Sequence, residues 1–589
     1  MLYYHELYAP FSSLEHLNVL LHGLKHDASI AGYLTAIPAL LLLLSCWFPF
    51  NGIRYSAKLY FGVVSALVAS ILTIDLILYE YWGFRLDSSP LFYILSPREA
   101  LASTSVVTNI AGFISAGLIA LGIYKLTNSI FGYRPFHQPY TQPLLPTLAK
   151  RSLISIVVLL QTGLLFLAIR GGVKESTMNV GKVYFSNEIV LNHAAINPAF
   201  SLFESLSTLQ QFDKQYRFLP DAEATQLFGE LTAAPASDSI PRLFTIERPN
   251  VIFVILESFM SLNLTELGGI PDVAVNLDSL ARESLLFTNL YANSFRTDRA
   301  LVSLMSAFPA QPVTSLMKYP RKLQQLPNFP MEMKKQGYDI HYLYGGDADF
   351  TSMRSYLRNC GFERITEDVS FPAEYNTTKW GVPDEYVFDR LYHDIANQTD
   401  TPFLKVIQTQ SSHHPFDVPY RGKLDDPYLN SVAYTDSCLG DFVERLRRLP
   451  AWDNTILVLV PDHAMRFPYD LDNRSVERYK IPMIIAGGAL KLKGRIDQYA
   501  SQTDIAATLL YQLGIDHSGF VFSKNILNPD APHFGFFTFT DGFGMVSPEN
   551  EYVYDNESKT VTTNSRNENF NEKRAQAYIQ KLYDIMNQL

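Results

Sequence analysis

The chain has 589 residues, with 48 lysines and arginines against 58 aspartates and glutamates, which gives a net charge of −10. Hydrophobic residues make up 47% of the chain and charged residues only 18%, below the roughly 25% that is usual in soluble domains. This composition excludes a disordered chain and a coiled coil. The acidic balance also argues against nucleic acid as a partner, because such a partner requires a basic surface.

Four apolar runs lie in the first 170 residues, and each has the length of about 20 residues that crosses a membrane. Four such runs in so short a stretch favour membrane spans over buried core helices, and we predict a transmembrane domain over residues 1–170. The predicted spans cover about residues 29–48, 59–78, 105–124 and 153–169.

The loops between these spans predict the orientation of the chain. Arg54 and Lys58 follow the first span, and Lys125 and Arg134 follow the third. By the positive-inside rule both loops face the cytoplasm, which places everything after the fourth span on the extracytoplasmic side. We therefore expect a multi-pass protein of a bacterial cytoplasmic (inner) membrane.

The same orientation places residues 1–28 outside, with no preceding span to carry them there. Two explanations stand at this point. An amphipathic stretch at residues 11–24 lies in the membrane interface, or an upstream transmembrane helix is missing from this chain.

After the spans the chain changes character. Residues 171–249 contain no long periodic run, and we predict an extended linker with short helices. Residues 250–589 alternate short strand-like runs with helical patterns, which is typical of an α/β domain with a mainly parallel or mixed sheet. The predicted strands are Val251–Leu256, Asp339–Tyr344, Phe403–Thr409, Ile456–Val460, Ile481–Ala486 and Phe534–Thr540, and the predicted helices are Asn276–Leu286, Arg299–Ala307, Val432–Leu446 and Asp504–Leu513.

Polar side chains collect where the predicted strands end, which is where open α/β sheets place their sites. Glu257 follows the first strand, Asp462 and His463 follow another, and the pair His413-His414 and Asp347 follow two more. Taken alone, Glu257 is better explained as a helix cap. Together, Glu257, Asp462 and His463 form an oxygen and nitrogen ligand set for a divalent cation.

Thr297 stands immediately before a helical pattern. Free N–H groups at a helix N-terminus favour an anion, and a threonine hydroxyl becomes a nucleophile only beside a metal or a base. On local evidence alone, Thr297 is more simply an N-cap. Arg296 and Arg299 flank it, and they are either solvated surface charges or ligands for phosphate oxygens.

Six segments of the chain resemble the lipoteichoic acid synthase/phosphoglycerol transferase family of the alkaline phosphatase and sulfatase superfamily. They occur in the order that the family has them and extend over more than half of the predicted catalytic domain. The segments are VIFVILESF (251–259), SFRTDRALVSLMSAFPAQP (294–312), YLYGGDADF (342–350), SSHHPF (411–416), PDHA (461–464) and SQTDIAATLL (501–510).

The resemblance implies a fold and a set of roles. It implies a multi-pass α-helical membrane domain followed by an extracytoplasmic α/β domain of the alkaline phosphatase/sulfatase type. It makes Thr297 both nucleophile and metal ligand, completes the metal site with Glu257, Asp462 and His463, and makes His413 a ligand of the substrate phosphate. The cofactor would be one divalent cation, with Mn²⁺ preferred over Mg²⁺ or Zn²⁺.

The chain also departs from this family in two places. The lipoteichoic acid enzymes hold glycerol phosphate with His, Trp and Arg, where this chain has Tyr344, Thr351 and Met353. The first of the family's five spans is also absent. We therefore place the chain in a divergent branch, in which synthesis of polyglycerol phosphate is in doubt.

The function that follows is metal-dependent transfer of a phospholipid head group, of phosphoglycerol type, to an envelope glycan or lipid acceptor through a phospho-threonine intermediate. The alternatives are a phosphoethanolamine transferase, a phosphodiesterase of the same superfamily, and a non-catalytic lipid-binding regulatory membrane protein. A sulfatase is less favoured, because its Cys/Ser-x-Pro-x-Arg motif is replaced here by the segment that begins at Thr297.

Overall fold

Residues 1–48, 51–88, 106–131, 144–207, 210–398, 402–419, 424–566 and 569–589 are described by the structure, a computed structural model. The chain divides into two units, Met1–Leu209 and Gln210–Leu589. The predicted linker at 171–249 is divided between them, because its first part packs in the first unit and its second part in the second.

The first unit is helical. Four of its helices contain stretches long and apolar enough to cross a membrane, as the sequence predicts: Ser13–Trp47, Tyr55–Glu80, Val106–Ile130 and Leu148–Arg170. A helix suits such a stretch because it satisfies every backbone N–H and C=O group internally. The helices of this unit are α1 (His5–Tyr8), α2 (Ser13–Trp47), α3 (Asn51–Trp82), α4 (Val106–Phe131), α5 (Leu144–Arg170), α6 (Ile189–Ala195) and α7 (Pro198–Ser207). Arg134, which the orientation argument uses, lies outside the described residues.

The predicted amphipathic stretch at 11–24 forms one continuous helix with the first span. A capping box starts this helix, since Ser12 accepts from the N–H of Glu15 and the Glu15 carboxylate accepts from the N–H of Ser12. Its extramembrane end contacts the segment that follows the fourth span, where Asn197 donates to Asp27 over 2.7 Å.

The second unit is built on an eight-stranded sheet with the strand order β4-β3-β5-β1-β6-β7-β2-β8, in which only β7 runs antiparallel to its neighbours. A second, antiparallel sheet has the order β12-β11-β10-β9. The strands are β1 (Asn250–Leu256), β2 (Leu285–Tyr291), β3 (Asp339–Tyr344), β4 (Arg364–Thr366), β5 (Phe403–Gln408), β6 (Thr455–Pro461), β7 (Lys480–Ala486), β8 (Gly494–Ser501), β9 (Gly535–Phe539), β10 (Gly542–Val546), β11 (Asn550–Asp555) and β12 (Thr560–Arg566).

Helices cover the large sheet, and the predicted α/β class is confirmed. They are α8 (Asp221–Leu231), α9 (Val275–Arg282), α10 (Thr297–Ser306), α11 (Pro320–Leu323), α12 (Phe329–Lys335), α13 (Met353–Asn359), α14 (Asp384–Ala396), α15 (Pro427–Leu446), α16 (Asp504–Gln512) and α17 (Glu572–Gln588). The helix predicted over Asn276–Leu286 is wrong at its end, because α9 stops at Arg282 and Leu285 already begins β2. The apolar residues from Leu285 to Phe287 pair with β7 and β8.

The central strands β5, β1 and β6 position the candidate site. Every residue of β1 after Asn250 is buried, as are all residues of β6, because a parallel sheet with helices on both faces exposes neither face to water. The three strands run parallel, so their carboxyl ends meet at one edge of the sheet.

Candidate active site

Two carboxylates meet at the carboxyl edge of the sheet. Leu256 at the end of β1 pairs with Pro461 at the end of β6, and Glu257 and Asp462 are the next residues of the two strands. Thr409, which follows β5, accepts a hydrogen bond from the N–H of Glu257 over 2.9 Å. Adjacent parallel strands therefore hold the two acids side by side.

Asp462 and its neighbours form a cluster of potential metal ligands. Ligand atoms of Glu257, Asp462 and His463 all lie within 4.8 Å of one another, and all three residues are buried. His463 Nε2 lies 3.7 Å from Glu257 Oε1 and 3.5 Å from Asp462 Oδ2. The predicted ligand set is thus brought together in space.

Ser258 fixes the orientation of both acids. Its backbone has a left-handed conformation, with φ at +60°, which turns the chain sharply after β1. Its N–H donates to Asp462 Oδ1 over 2.8 Å, and its hydroxyl donates to Glu257 Oε1 over 2.7 Å. Neither bond uses Glu257 Oε2 or Asp462 Oδ2, and these are the oxygens available to a cation.

The electrostatics of the pair fit a divalent cation. Burial, followed by the charge of Asp462, raises the pKa of Glu257 well above its ordinary range. Asp462 Oδ2 is buried and accepts no hydrogen bond within the described part of the chain. Burial lowers the pKa of His463, which keeps its imidazole neutral as a metal ligand must be. Two buried acids, one of them with an unsatisfied oxygen, and a neutral imidazole form a suitable donor set for Mn²⁺, Mg²⁺ or Zn²⁺.

Thr297 joins this cluster from the other side. It is the first residue of α10, which begins after the extended residue Arg296 and has no side-chain cap. The Thr297 hydroxyl donates instead to Glu257 Oε2 over 3.2 Å. The N-cap alternative therefore does not describe Thr297, whose hydroxyl lies beside the ligand cluster at the positive end of a helix.

A cleft opens over Thr297 and Glu257. Its wall is largely aromatic and apolar, and it includes Tyr344, Thr351 and Met353, the three positions at which the sequence departs from the lipoteichoic acid enzymes. The other lining residues are Asp298, Leu301, Phe350, Trp380, Gln408, Gln410 and His413. No lysine or arginine is among these described lining residues, so the cleft has no cationic wall of its own.

His413 and Trp380 form one side of the cleft. Their ring centroids are 4.1 Å apart, and the Trp380 indole N–H donates to the carbonyl of His414 over 2.7 Å. His413 Nδ1 lies 2.8 Å from the same carbonyl, which makes Nδ1 the protonated nitrogen of the neutral ring. Burial lowers the pKa of His413, and Nε2 is the nitrogen left for a substrate.

The other predicted substrate-binding residues lie elsewhere. Arg299 is buried, donates to Ser294 Oγ over 3.3 Å and is not a cleft residue, because helix α10 turns its side chain away from Glu257. Arg296 is exposed and lies 5.8 Å from the Phe295 ring. The His414 side chain is also exposed.

Asp347 is a turn residue in the structure. Its carboxylate accepts from the N–H of Asp349 over 2.9 Å, and it does not line the cleft.

Two residues near the site were missed by the sequence analysis. Trp380 lies in an irregular segment with no pattern around it, and the only available signal was that tryptophan is rare in this chain, with 4 in all.

Arg478 is 5% exposed, and its Nε and Nη1 have no hydrogen-bond partner among the described residues. Its charge contributes to lowering the pKa of His463, after burial and beside the opposing effect of Asp462.

Residues 249–515 match the model of the sulfatase family. The chain is 25% identical over 317 residues to phosphoglycerol transferase I from Xanthomonas campestris pv. campestris, a match that covers 50% of this chain and 45% of the relative. It is 24% identical over 306 residues to lipoteichoic acid synthase 2 from Bacillus subtilis, over 47% of this chain and 46% of the relative. The chain thus spans less than half the length of these curated relatives.

A solved structure with a similar fold is that of a protein in the alkaline phosphatase superfamily from Vibrio parahaemolyticus. That structure has a TM-score of 0.56 and 24% identity, and the match covers 64% of this chain and 98% of the other. Residues 249–515, which follow the four apolar helices of the described chain, thus resemble the sulfatase family. The resemblance inferred from the six segments is confirmed, and so is the predicted fold class.

Proposed function

We propose that this protein transfers a phosphoglycerol-type head group from a membrane phospholipid to a hydroxyl of an envelope glycan or lipid, through a covalent intermediate on Thr297. The observation that supports it most is the hydrogen bond from the Thr297 hydroxyl to Glu257, inside a buried ligand cluster at the mouth of a cleft. The similarity to phosphoglycerol transferases and lipoteichoic acid synthases supports the same class of reaction.

The reaction has two steps. In the first, Thr297 Oγ forms a bond to the phosphorus of the head group, the bond from phosphorus to the diacylglycerol oxygen breaks, and the threonine proton leaves with diacylglycerol. In the second, an acceptor hydroxyl attacks the phospho-threonine diester, and its proton returns to Thr297. A divalent cation held by Glu257, Asp462, His463 and Thr297 would lower the pKa of the threonine hydroxyl and offset negative charge at phosphorus.

The residues of the chain supply position and charge for these steps. Glu257 orients the Thr297 hydroxyl, and the N-terminus of α10 provides N–H groups and a positive dipole for the phosphate oxygens. His413 Nε2 contacts the phosphate from the opposite side of the cleft, and its imidazolium form, favoured by the bound anion, donates to an oxygen. Arg299 has no part in this scheme, because it is buried away from the cleft.

We propose Mn²⁺ as the cation, although the ligand set also accepts Mg²⁺ or Zn²⁺. We place the four spans in a bacterial cytoplasmic membrane with the second unit on the extracytoplasmic side, where envelope acceptors and the outer leaflet are both available. The covalent connection to the spans keeps the catalytic unit at the membrane that contains its donor.

Intact mass spectrometry of the full chain in lipid nanodiscs tests this proposal. With phosphatidylglycerol, Mn²⁺ and no acceptor, we expect a mass increase of one phosphoglycerol group, mapped to Thr297, and release of diacylglycerol. Thr297→Ala should show neither, while Thr297→Ser, which retains a hydroxyl, should form the adduct more slowly.

The other outcomes identify the alternatives. An adduct formed only from phosphatidylethanolamine would replace this proposal with phosphoethanolamine transfer. Rapid turnover to free glycerol phosphate in the presence of envelope acceptors would indicate a phosphodiesterase. The absence of an adduct, of diacylglycerol release and of metal binding would leave a lipid-binding regulator.

A further inference from the structure

The cleft over Thr297 contains three polar side chains that the proposed mechanism does not use. Tyr344 ends β3 and Gln408 ends β5, and the two are paired in the register of these parallel strands, so their side chains leave the same face of the sheet. Gln410 lies two residues beyond Gln408, and all three side chains line the cleft. Their exposed fractions are 6%, 1% and 4% in this order. Neither glutamine belongs to the six segments on which the family resemblance rests.

These side chains carry hydrogen-bonding groups without a partner in the described part of the chain. Gln410 Oε1 is buried and unpaired, while Gln410 Nε2 donates to the carbonyl of Val382 over 2.6 Å, which fixes the orientation of the amide. Gln408 shows the reverse, because its Oε1 accepts from the Tyr342 hydroxyl and no described group accepts from its Nε2. The Tyr344 hydroxyl also has no partner among the described residues. The cleft therefore offers an acceptor, a donor and a hydroxyl, all of them neutral.

Contacts within the protein hold these groups in place. The backbone N–H of Gln410 donates to Asp384 Oδ1 over 2.8 Å, in addition to the bond from its side chain. The Tyr344 ring packs on the backbone of Gly346, where a Cβ atom would lie only 2.5 Å from the ring, so this close approach requires glycine. Because the groups are positioned before binding, a ligand loses little free energy in ordering them.

A hydroxyl group fits this arrangement better than an ammonium or a phosphate does. A hydroxyl can accept from Gln408 Nε2 and donate to Gln410 Oε1, whereas an ammonium only donates and an anion only accepts, so each leaves one glutamine unpaired. The enclosed space of the cleft is about 20 Å³, which is enough for one water-sized group. With its open mouth the cleft contains about 380 Å³, which leaves room for the rest of a head group towards Thr297.

We propose that Gln408 and Gln410 select the donor lipid by binding a hydroxyl of its glycerol head group, with the Tyr344 hydroxyl as a further partner. This inference rests on the proposed function, because it concerns the donor that the function requires. Neutral side chains at the end of β5 then supply the recognition that the lipoteichoic acid enzymes obtain from His, Trp and Arg. A site built to bind a hydroxyl disfavours an analogue without one, because its own buried polar groups remain unpaired.

Isothermal titration calorimetry on the full chain in nanodiscs, with Mn²⁺ present, tests this selection without turnover. The probes are glycerol 1-phosphate, phosphoethanolamine and propyl phosphate, which has the same three carbons as glycerol phosphate but no hydroxyl on them. In the wild type we expect glycerol 1-phosphate to bind at least about tenfold more tightly than propyl phosphate. In Gln410→Leu and in Gln408→Leu this ratio should fall below about threefold, while the affinity for propyl phosphate stays that of the wild type. Gln226→Leu, an exposed substitution on α8, is the matched control and should keep the wild-type ratio.

Each remaining result has a defined meaning. A wild-type ratio near one, or an unchanged ratio in both glutamine variants, would overturn the proposal. Phosphoethanolamine binding as tight as that of glycerol 1-phosphate would also overturn it and would indicate that the cleft residue Asp298 pairs with an ammonium. If the ratios behave as expected but Thr297 never forms an adduct, the recognition of glycerol stands and the proposed transfer fails. If phosphatidylglycerol gives the adduct and the wild-type ratio is near one, the transfer stands and recognition by the glutamines fails.

Discussion

Two buried carboxylates of the second unit, Asp504 and Asp462, are stabilised in different ways. Asp504 is 1% exposed, and the buried Lys524 ammonium donates to both of its oxygens over 2.8 and 3.0 Å. Asp462 is completely buried and lies beside a second acid, Glu257, with one oxygen that accepts no hydrogen bond within the described chain. Among the described residues, a lysine hydrogen-bonds directly to the first acid, whereas no lysine or arginine hydrogen-bonds to the second, on which the buried Arg478 acts only through its charge.

This difference separates a buried ion pair that is complete within the chain from a pair of acids that fits the proposed metal site. Burying a carboxylate without a counter-charge is expensive, and folding tolerates it only where neighbours or a bound ion compensate. The Lys524 ammonium compensates the charge of Asp504 at the start of α16, so this acid needs no bound cation. At the carboxyl edge of the sheet the backbone N–H groups of Ser258 and His463 and the charge of Arg478 compensate only in part, and a bound cation would supply the rest.

Asp462→Asn tests the functional acid and should have the largest effect. The amide keeps the size of the side chain but removes a negative ligand, and we expect turnover to fall by at least about 10³-fold, or about 4 kcal/mol of transition-state stabilisation. The measurement is release of diacylglycerol from phosphatidylglycerol in nanodiscs. Asp441→Asn, an exposed substitution on α15, is the control. A loss below tenfold in Asp462→Asn would contradict a role for this acid in the metal site.

Lys524→Met tests the structural pair. Methionine has a similar length but leaves the Asp504 charge uncompensated, and breaking a buried pair in this way costs about 3–5 kcal/mol of stability. The expected result is a lower thermal unfolding midpoint with unchanged turnover per folded molecule. If the stability is unaffected and the turnover falls, the two acids do not differ as we argue.

Metal removal should lower the stability that depends on the Glu257 and Asp462 cluster and should leave the contribution of the Asp504–Lys524 pair unchanged. A cation at one hundred times its dissociation constant stabilises the folded state by about 2.7 kcal/mol, because it binds the folded chain and not the unfolded one. We expect Mn²⁺ to raise the unfolding midpoint and EDTA to reverse this in the wild type. The Lys524→Met variant should show the same Mn²⁺-dependent rise of the unfolding midpoint, and the Glu257→Gln variant should show no rise. An increment that survives in Glu257→Gln would place the cation elsewhere.

The juxtaposition of Glu257 and Asp462 was predictable from sequence, and the reason is the topology of the sheet. Glu257 and Asp462 each follow directly on an apolar run, and these runs form the adjacent strands β1 and β6. Because β1 and β6 are parallel, the residues that directly follow them meet at one edge of the sheet. The prediction that Thr297 is a nucleophile came only from the order of the six family segments, because the local pattern alone favours an N-cap.

Other parts of the site depend on contacts that no local pattern records. The Trp380 indole reaches the carbonyl of His414 from an irregular loop 34 positions away along the chain. Arg299 is two residues from Thr297, yet a helix turns successive side chains by about 100°, which carries this one away from the cleft. The prediction extended α9 into the first two residues of β2 because Leu285 continues the helical spacing of Leu277 and Ala281, and no glycine or proline lies between the two elements.

Asp436 shows a third way to keep a buried acid and gives the smallest expected effect. This residue of α15 is 1% exposed, and within the described chain neither a cation nor another acid hydrogen-bonds to it, although the charge of Asp278 also raises its pKa. It accepts from the backbone N–H groups of Asn276 and Leu277 over 2.9 and 2.8 Å, at the N-terminus of α9. These bonds only partly compensate for burial, which raises the pKa of Asp436 from 3.8 to about 6.

The sign of the pH dependence follows from this shift. A carboxyl whose pKa is higher in the folded state binds its proton more tightly there, so it stabilises the fold below pH 3.8 and loses that contribution as the pH rises through about 6. Relative to the wild type, Asp436→Asn should therefore gain roughly 2 kcal/mol of stability between pH 4 and pH 7. Urea unfolding at both pH values measures the change, with Asp441→Asn as the control. A constant difference across this range would mean that the backbone N–H groups compensate the Asp436 charge as fully as Lys524 compensates Asp504, and burial would then not distinguish the acids of this unit.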